Sequence, residues 1–242
     1  MSVRTPHRTK LRAKPNEGFL ERLLDPIDRL SETIYSILIL LTFTFAFRIF
    51  KLGPNPDQVS STEYVNDLLL GALGATLAWG LIDGVIYAMR SVFERGEKHR
   101  LLKRIQRAAT DDEGIEAIAE ELDHVLEPIA GAEKRYELYV DVLEHLRDSR
   151  PQPVRLTRDD LAGSLGSVLV AVIAVTPSLI PLVLFRDNYS LAIRISNIIS
   201  FIVLFYTGYR WGKYSGSSPW KTGLLLAITG AAMMLIALPL GG

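Results

Sequence analysis

Residues 66–89 read NDLLLGALGATLAWGLIDGVIYAM, and this stretch decides the fold class. Its charged side chains are Asp67, close to its start, and Asp83. A helix needs about 20 predominantly apolar residues to cross the hydrocarbon core of a bilayer. A soluble helix of this length keeps a charged face toward water, and this stretch has none. It therefore predicts a transmembrane helix that holds one carboxylate, Asp83, well inside the membrane.

Four further stretches have the same character, which predicts an all-α protein with five transmembrane helices. Together the five spans contain four charged residues, although the chain has 27 basic and 27 acidic side chains. Backbone groups inside a membrane must be hydrogen-bonded within their own segment, which favours helices. The predicted spans are 33–50, 66–89, 161–185, 191–209 and 222–240, and their charged residues are Arg48, Asp67, Asp83 and Arg194.

Basic residues alternate between the two sides of this predicted bundle. The segment before the first span has seven basic residues and the segment 90–160 has 13, whereas the segments 51–65 and 186–190 have one each. Strongly basic segments stay in the cytosol. We therefore expect a cytosolic N-terminus and an outer C-terminus, with the lipid bilayer as one partner.

The composition excludes several functional classes. The net charge is zero, so no basic excess is available to bind nucleic acid. The chain has no cysteine, which excludes disulfides and cysteine-based metal centres. The H-E-x-x-H, G-x-S-x-G and P-loop signatures are missing from the sequence. We expect a protein that is not an enzyme and holds no resident cofactor.

The expected organisation has four parts: a disordered basic arm (1–18), helices 1 and 2 (19–90), a cytosolic helical insert (91–155) and helices 3 to 5 (156–242). The basic stretch 94–107 is expected to continue the second helix out of the membrane. Two apolar seams at helical spacing, separated by Pro128 to Gly131, then predict a helical hairpin. The seams are Ile115, Ile118, Leu122, Val125 and Ile129 in the first helix, and Tyr136, Tyr139, Leu143 and Leu146 in the second.

Acidic residues form a second stripe along each helix of this hairpin. Glu113, Glu116 and Glu120 advance by three and four residues and share one helix face, and Glu144 belongs to the stripe of the second helix. Like charges one turn apart repel by about 0.2–0.5 kcal/mol per pair. The stripe is either a solvated face that the basic stretch 95–107 neutralises in part, or a divalent-cation site of carboxylate oxygens.

Three carboxylates are candidates for a path through the membrane. A charge at the bilayer centre costs about 2.5–3.5 kcal/mol, so Asp83 needs a reason to be there. It is either ion-paired, for example with Arg194 or Arg29, or it binds a cation or a proton. Asp28 and Glu32 lie one turn apart at the start of the first span, where they either cap the helix or attract cations to its mouth.

The C-terminal third carries the most distinctive motifs. Residues 176–181 read TPSLIP, with two prolines inside a membrane helix, and residues 220–223 read WKTG after Gly208 and 215–216 (SG). Together with the order of two helices, an acidic insert and three helices, these motifs resemble the vacuolar iron transporter family over most of residues 20–242. The stretch 28–43 is similar to bacterial members of that family, and this resemblance implies a location in a bacterial plasma membrane.

The resemblance implies a homodimer whose first helices frame a path for Fe²⁺ or Mn²⁺, which is exchanged against protons. It also implies that glutamates of the insert capture the metal, because the pairs Glu94 with Glu97 and Glu113 with Glu116 are similar to the family's paired-glutamate pattern. The implied metal ligands are Glu94, Glu97, Glu113, Glu116 and Glu144, to which the acidic stripe adds Glu120.

Two functional hypotheses follow. The first is a proton-coupled exporter of Fe²⁺ or Mn²⁺, in which Asp28, Glu32 and Asp83 form the membrane path and the insert collects ions. The second is a membrane-anchored interaction protein that transports nothing and docks a cytosolic partner on its helical hairpin. Metal binding by the insert distinguishes the two hypotheses.

Overall fold

The computed structural model describes residues 23–52, 60–151 and 153–237, and within these ranges every regular element is an α-helix. The expected arm (1–18) and the end of the fifth predicted span lie outside the described residues. In chain order the described helices are α1 (Pro26–Leu52), α2 (Ser61–Arg107), α3 (Asp111–Leu126), α4 (Ala132–Arg147), α5 (Arg158–Leu184), α6 (Tyr189–Ser215) and α7 (Pro219–Ala237).

Five of these helices, α1, α2, α5, α6 and α7, are long and apolar enough to cross a membrane. The prediction of an all-helical chain with five such helices is confirmed, and it identifies an integral membrane protein. The first helix begins at Pro26, earlier than the predicted span, because proline is favoured at the first helical position and the Asp25 carbonyl accepts the Arg29 N–H at 3.0 Å.

The second helix continues far beyond a membrane thickness, as the sequence predicts. α2 has 47 residues without interruption. At 1.5 Å per residue it is about 70 Å long, roughly twice the ~30 Å of a hydrocarbon core. Its first half belongs to the helical bundle, and its second half belongs to a separate compact unit that contains α3 and α4.

The bundle comprises the described residues up to Gly84 and from Ala162 onward, and it has one hydrophobic core. α1 packs against α6 and α7, which also pack along each other. The core is closed by polar contacts as well, since the buried Ser200 of α6 donates a hydrogen bond to Ser178 of α5 at 2.9 Å. One face of α2 is buried in steps of one to four residues, at Tyr64, Val65, Leu68, Ala72, Thr76, Gly80 and Gly84.

The turn between α6 and α7 depends on one glycine. Gly216 has φ of 70°, in the left-handed region that other residues rarely adopt, and it ends α6. The reversal lets α7 return along α6, where Gly212 would place a Cβ atom 2.7 Å from the Cα atom of Pro219. Close packing and a turn therefore occur together at this place.

The second unit, Val85–Leu161, is a helical hairpin packed on the second half of α2. The hairpin turn lies between Leu126 and Ala132, around Pro128 and Gly131 as predicted. Its buried core consists of Ile105 from α2, Ile115, Ala117 and Ile118 from α3, and Tyr139 and Leu143 from α4.

The predicted seams are wrong at three positions near the hairpin turn. Val125, Ile129 and Tyr136 are 54%, 75% and 54% exposed. The buried line of α3 advances from Leu122 to Leu126 by four residues, so Val125 rotates out of the contact, and Ile129 lies beyond the end of the helix. Tyr136 lies one turn closer to the hairpin turn than the buried Tyr139 of α4.

The start of α5 is held by an ion pair within the second unit. Both terminal guanidinium nitrogens of Arg95 donate to the Asp160 carboxylate, at 3.1 and 2.5 Å. Thr157 and Asp160 also form a capping box, in which each side chain accepts the other's backbone N–H. These contacts satisfy free N–H groups at the first turn of α5.

Candidate functional site

A close crossing of α2 and α5 positions Asp83. A Cβ atom at Gly84 would lie 2.7 Å from the backbone oxygen of Ser164, and one at Gly80 would lie 3.1 Å from the Cα atom of Val168. Small residues permit such an approach between membrane helices. The Ser164 hydroxyl donates a hydrogen bond to the backbone oxygen of Gly84 at 2.6 Å. The crossing therefore fixes the turn of α2 that carries Asp83.

Glu32 of α1 meets Asp83 inside the bundle. Glu32 is 4% exposed, and its carboxyl group faces the carboxyl of Asp83 and the hydroxyl of Ser36. Ser36 lies one turn further along α1 and is also buried. Among the described residues, neither Oε1 of Glu32 nor Oγ of Ser36 has a hydrogen-bond partner in good geometry. Two of the three predicted path residues therefore lie together, and Oε1 of Glu32 and the Ser36 hydroxyl have room for a better-aligned partner than the described residues provide.

Glu32 and Asp83 carry like charges when both are ionised, and a small cation between them would offset the repulsion. Two adjacent carboxylates repel each other, and the repulsion is relieved when they share a proton or coordinate a metal ion. The alternative of an ion pair with Arg194 or Arg29 is not found, because Asp83 forms no salt bridge within the described ranges, and Arg194 is exposed. The pair can accept either a proton or a cation.

The third predicted path residue, Asp28, has a different setting. It lies one turn before Glu32, in the first turn of α1, and is half-buried. An acidic side chain there is stabilised by the positive end of the helix dipole. Glu32 lies beyond this turn, where the backbone N–H groups are already bonded within the helix. The helix dipole therefore accounts for the position of Asp28 and not for the burial of Glu32.

In the insert, carboxylates of α3 gather around the guanidinium of Arg104. Nη1 of Arg104 donates a hydrogen bond to Oε2 of Glu120 at 2.5 Å, and the charges of Glu116 and Glu113 also act on this guanidinium. The hydrogen bond from Arg104, followed by its charge, lowers the pKa of Glu120 below its ordinary value of 4.5. Glu113 also accepts the N–H of Ala109 at 2.8 Å. Three predicted metal ligands thus already face a cation of the chain itself.

The other three predicted ligands of the insert lie apart. Oε1 of Glu94 is 3.8 Å from Nε of Arg90, one turn away on α2, and Glu97 and Glu144 are exposed. Across the described ranges, no three His, Asp or Glu side chains are grouped so that they could hold a metal ion. The structure therefore brings Glu32 and Asp83 together, and among the described residues it does not group the six insert glutamates as a metal site.

The sequence did not identify two residues that contact the predicted site residues, Ser36 beside Glu32 and Arg104 beside Glu120. Ser36 has a signal in the sequence, because it lies four residues after Glu32 on the same face of α1. Arg104 belongs to the basic stretch that was expected to neutralise part of the stripe. Its particular role depends on the hairpin packing against Leu101 and Ile105, in the same turn of α2.

No family model matches the sequence, and no curated protein matches it.

Proposed function

We propose that the protein transports a divalent transition metal, Fe²⁺ or Mn²⁺, across the membrane in exchange for protons. The observation that carries this proposal is the Glu32–Asp83 pair, which lies among apolar helices with no basic partner for Asp83 in the described part of the chain. Ionisable residues are costly inside a membrane and typically mark ion or proton pathways. A purely structural role for two ionised carboxylates would require a compensating positive charge.

Exchange against protons follows from the chemistry of this pair. Carboxylates bind Fe²⁺ or Mn²⁺ only when they are deprotonated, so metal and proton compete for the same oxygen atoms. Oε1 of Glu32 and Oγ of Ser36 offer further oxygen ligands because neither has a hydrogen-bond partner among the described residues. Acid on the receiving side then releases the metal, and the protons return through the same site. Asp28, one turn nearer the start of α1, attracts the incoming cation.

The proposal includes an orientation and an assembly. The N-terminus and the second unit lie in the cytosol of a bacterial cell, which the distribution of basic residues supports, and the metal is exported. The chain is then a divergent member of the vacuolar iron transporter family and acts as a homodimer. Exposed apolar side chains on α1 and α2, such as Phe50, Leu70, Leu77 and Leu81, offer a surface to lipid or to a second copy.

The insert has a secondary role in this proposal. Its exposed carboxylates, including Glu97, Glu116 and Glu144, raise the local concentration of divalent cations near the membrane. A cation that occupies the stripe of α3 must displace Arg104 from Glu120. The insert is therefore a weak collector, and the selective step takes place at the Glu32–Asp83 pair.

A second candidate function is supported by a specific observation on the insert. Val125, Ile129 and Tyr136 form exposed apolar surface beside the hairpin turn, and the glutamates of the insert are not grouped as a metal site in the described residues. Both features suit a membrane-anchored protein that docks a cytosolic partner on its hairpin. This function requires neither ion flux nor the Glu32–Asp83 pair.

The decisive experiment measures Fe²⁺ and Mn²⁺ flux into proteoliposomes that contain the full-length protein, under an imposed pH gradient. We expect flux that depends on the gradient, and we expect its loss in Glu32→Gln and in Asp83→Asn. The matched control is Glu63→Gln, which makes the same change on an exposed residue of α2.

Each outcome has a definite meaning. Wild-type flux in both Glu32→Gln and Asp83→Asn shows that the pair is not the path. Vesicles in which the wild-type protein carries neither metal contradict transport of these ions as a whole and favour the docking function. Equal loss in Glu63→Gln shows that the flux responds to any removed surface charge.

A further inference from the structure

A groove of about 330 Å³ opens between α1, α5 and α6, and neither Glu32 nor Asp83 lines it. Most of its wall is apolar and comes from Leu30 of α1, from Val170, Ile173 and Ala174 of α5, and from Val203 of α6. Ile173 is 55% exposed, so the groove is accessible from the side of the bundle. Inside a membrane, such a groove is filled by lipid tails rather than by water.

One end of the groove is basic. Arg29, near the start of α1, and Arg210, near the end of α6, both line it, together with Tyr206 and Tyr214. Lys213 lies next to this end and belongs to an adjoining cavity with Arg210 and the same tyrosines. The groove therefore joins an apolar channel to a group of positive charges at one end of the bundle.

Arg210 is the cation of this group with the clearest need for an anion. It is exposed, and its guanidinium contacts the hydroxyls of Tyr206 and Tyr214 at the long distance of 3.4 Å and lies 5.7 Å from the Tyr214 ring centroid. No carboxylate of the described residues pairs with it. Its hydrogen-bond donors are suited to a bidentate contact with a phosphate group.

The dimensions match a phospholipid. Arg210 and Val203 are two turns apart on α6, which is about 10 Å along the helix. A phosphate at Arg210 therefore leaves the first part of an acyl chain beside Val203, Ala174 and Ile173. A soluble phosphate would use the basic end and leave the apolar channel exposed. Basic pockets between membrane helices bind anionic lipid headgroups in this way.

We propose that the groove between α1, α5 and α6 is a binding site for an anionic phospholipid, with the phosphate at Arg210 and an acyl chain along Val203, Ala174 and Ile173. Neither Glu32 nor Asp83 lines the groove, so this proposal does not rest on the proposed metal transport. The orientation expected from the basic residues places its basic end in the cytosolic leaflet.

The test is native mass spectrometry of the full-length protein in detergent, titrated with dioleoyl phosphatidylglycerol or with dioleoyl phosphatidylcholine. We expect tighter binding of phosphatidylglycerol. Arg210→Gln should weaken that binding about fivefold, the effect of one basic residue worth about 1 kcal/mol near a membrane surface. Ile173→Trp should weaken the binding of phosphatidylglycerol as well, because the indole fills the apolar channel from an exposed position.

Two controls complete the experiment. Lys221→Gln removes an exposed positive charge outside the groove, in the first turn of α7, and should leave the affinity for phosphatidylglycerol unchanged. An excess of sn-glycerol 3-phosphate should not displace the lipid, because it lacks the acyl chain. Circular dichroism and size-exclusion chromatography establish that each variant is folded, and Ile173→Trp decides the question if Arg210→Gln does not fold.

Several results would overturn the proposal. One is equal binding of the two lipids, and another is full phosphatidylglycerol affinity in folded Arg210→Gln or Ile173→Trp protein. Equal losses in Lys221→Gln and Arg210→Gln would assign the effect to general surface charge. Displacement by glycerol phosphate at the same concentration as lipid would assign the site to free phosphate.

Discussion

The carboxylates of α3 in the insert and the Glu32–Asp83 pair in the bundle differ in the charge of the side chains that face them. In the insert, Glu120 is bonded to Arg104, and Glu113 and Glu116 lie near the same guanidinium. In the bundle, Glu32 faces Asp83, and Asp83 has no salt bridge to any residue that the structure describes. The chain itself thus supplies a cation to the carboxylates of α3, whereas the described residues supply none to Asp83.

The surroundings make this difference larger than the residue counts suggest. Exposed charges in water are screened by solvent and salt, and an exposed ion pair contributes little to stability. In a medium of low dielectric constant, the same charges interact several times more strongly. The repulsion within Glu32–Asp83 is therefore a stronger reason to recruit a proton or a metal ion than the whole stripe of α3.

The largest effect on metal flux is expected when a basic side chain is placed beside Glu32, as Arg104 lies beside Glu120 in the insert. In Asp83→Lys, an ammonium group beside Glu32 replaces the mobile cation permanently. We expect metal flux in proteoliposomes to fall to the level of protein-free vesicles, while circular dichroism still shows a folded helical protein. Glu63→Lys makes the same charge change at an exposed site of α2 and should retain flux. Wild-type flux in Asp83→Lys would remove the contrast between the two groups.

The second effect concerns the packing that holds Asp83 in place. In Gly84→Ala the new Cβ atom meets the backbone oxygen of Ser164 at 2.7 Å, so the crossing of α2 and α5 must open. We expect a loss of about 1–3 kcal/mol, measured as a lower Tm in detergent, together with reduced flux. Gly74→Ala is the matched control, because open space surrounds that position, and it should be neutral or slightly stabilising. Equal Tm values for the two variants would contradict the close crossing.

Much of the fold was predictable because membrane insertion leaves a strong pattern. The five apolar spans, the extension of α2 and the hairpin turn all follow from runs of apolar or charged residues and from turn residues. The seams near that turn were less predictable. Val125 and Leu126 are adjacent and both apolar, so helical spacing does not determine which of the two side chains packs against the core of the second unit. Only the packing of α3 against its neighbours decides for Leu126.

The candidate site was predictable residue by residue, but its assembly was not. Asp83 stands out as a carboxylate in an apolar span and Glu32 as one at the start of another, and Gly80 and Gly84 indicate a close helix contact. Their meeting depends on how α1 and α2 rotate and cross, which no local pattern specifies. The same limit applies to Arg104, since the sequence offers several basic residues as partners for the stripe. The structure pairs Arg104 with Glu120.

A smaller effect, on Mn²⁺ affinity, is expected when the insert carboxylates lose the basic side chain that faces them. Arg104→Gln removes the guanidinium that competes with a metal ion for Glu120, Glu116 and Glu113. We expect the affinity of the full-length protein for Mn²⁺ to rise by up to about fivefold. Calorimetry in an Asp83→Asn background isolates the insert from the membrane pair.

Arg100→Gln is the matched control for this experiment. Arg100 belongs to the same basic stretch, but its guanidinium lies over the ring of Phe93 at 5.8 Å. This variant should leave Mn²⁺ binding unchanged. An Arg104→Gln protein that binds Mn²⁺ no more tightly than its parent would show that the stripe is a solvated face and not a masked cation site.

The smallest effect is the pH dependence of the Arg104 contact. Glu120 has a pKa below 4.5 in the folded protein, because Arg104 donates a hydrogen bond to its carboxylate and carries a positive charge. A group whose pKa is lowered by folding stabilises the fold above its ordinary pKa, and this contribution is lost as the pH falls through the lowered value. Hydrogen exchange of α3 in the full-length protein, corrected for intrinsic rates, should therefore show lower protection as the pH falls below 4.5. Glu120→Gln should lose this component of the pH dependence and Glu121→Gln should retain it. If the protection of α3 in both variants depends on pH as in the wild type, Arg104 does not neutralise the stripe in solution. The stripe would then again be a candidate cation site.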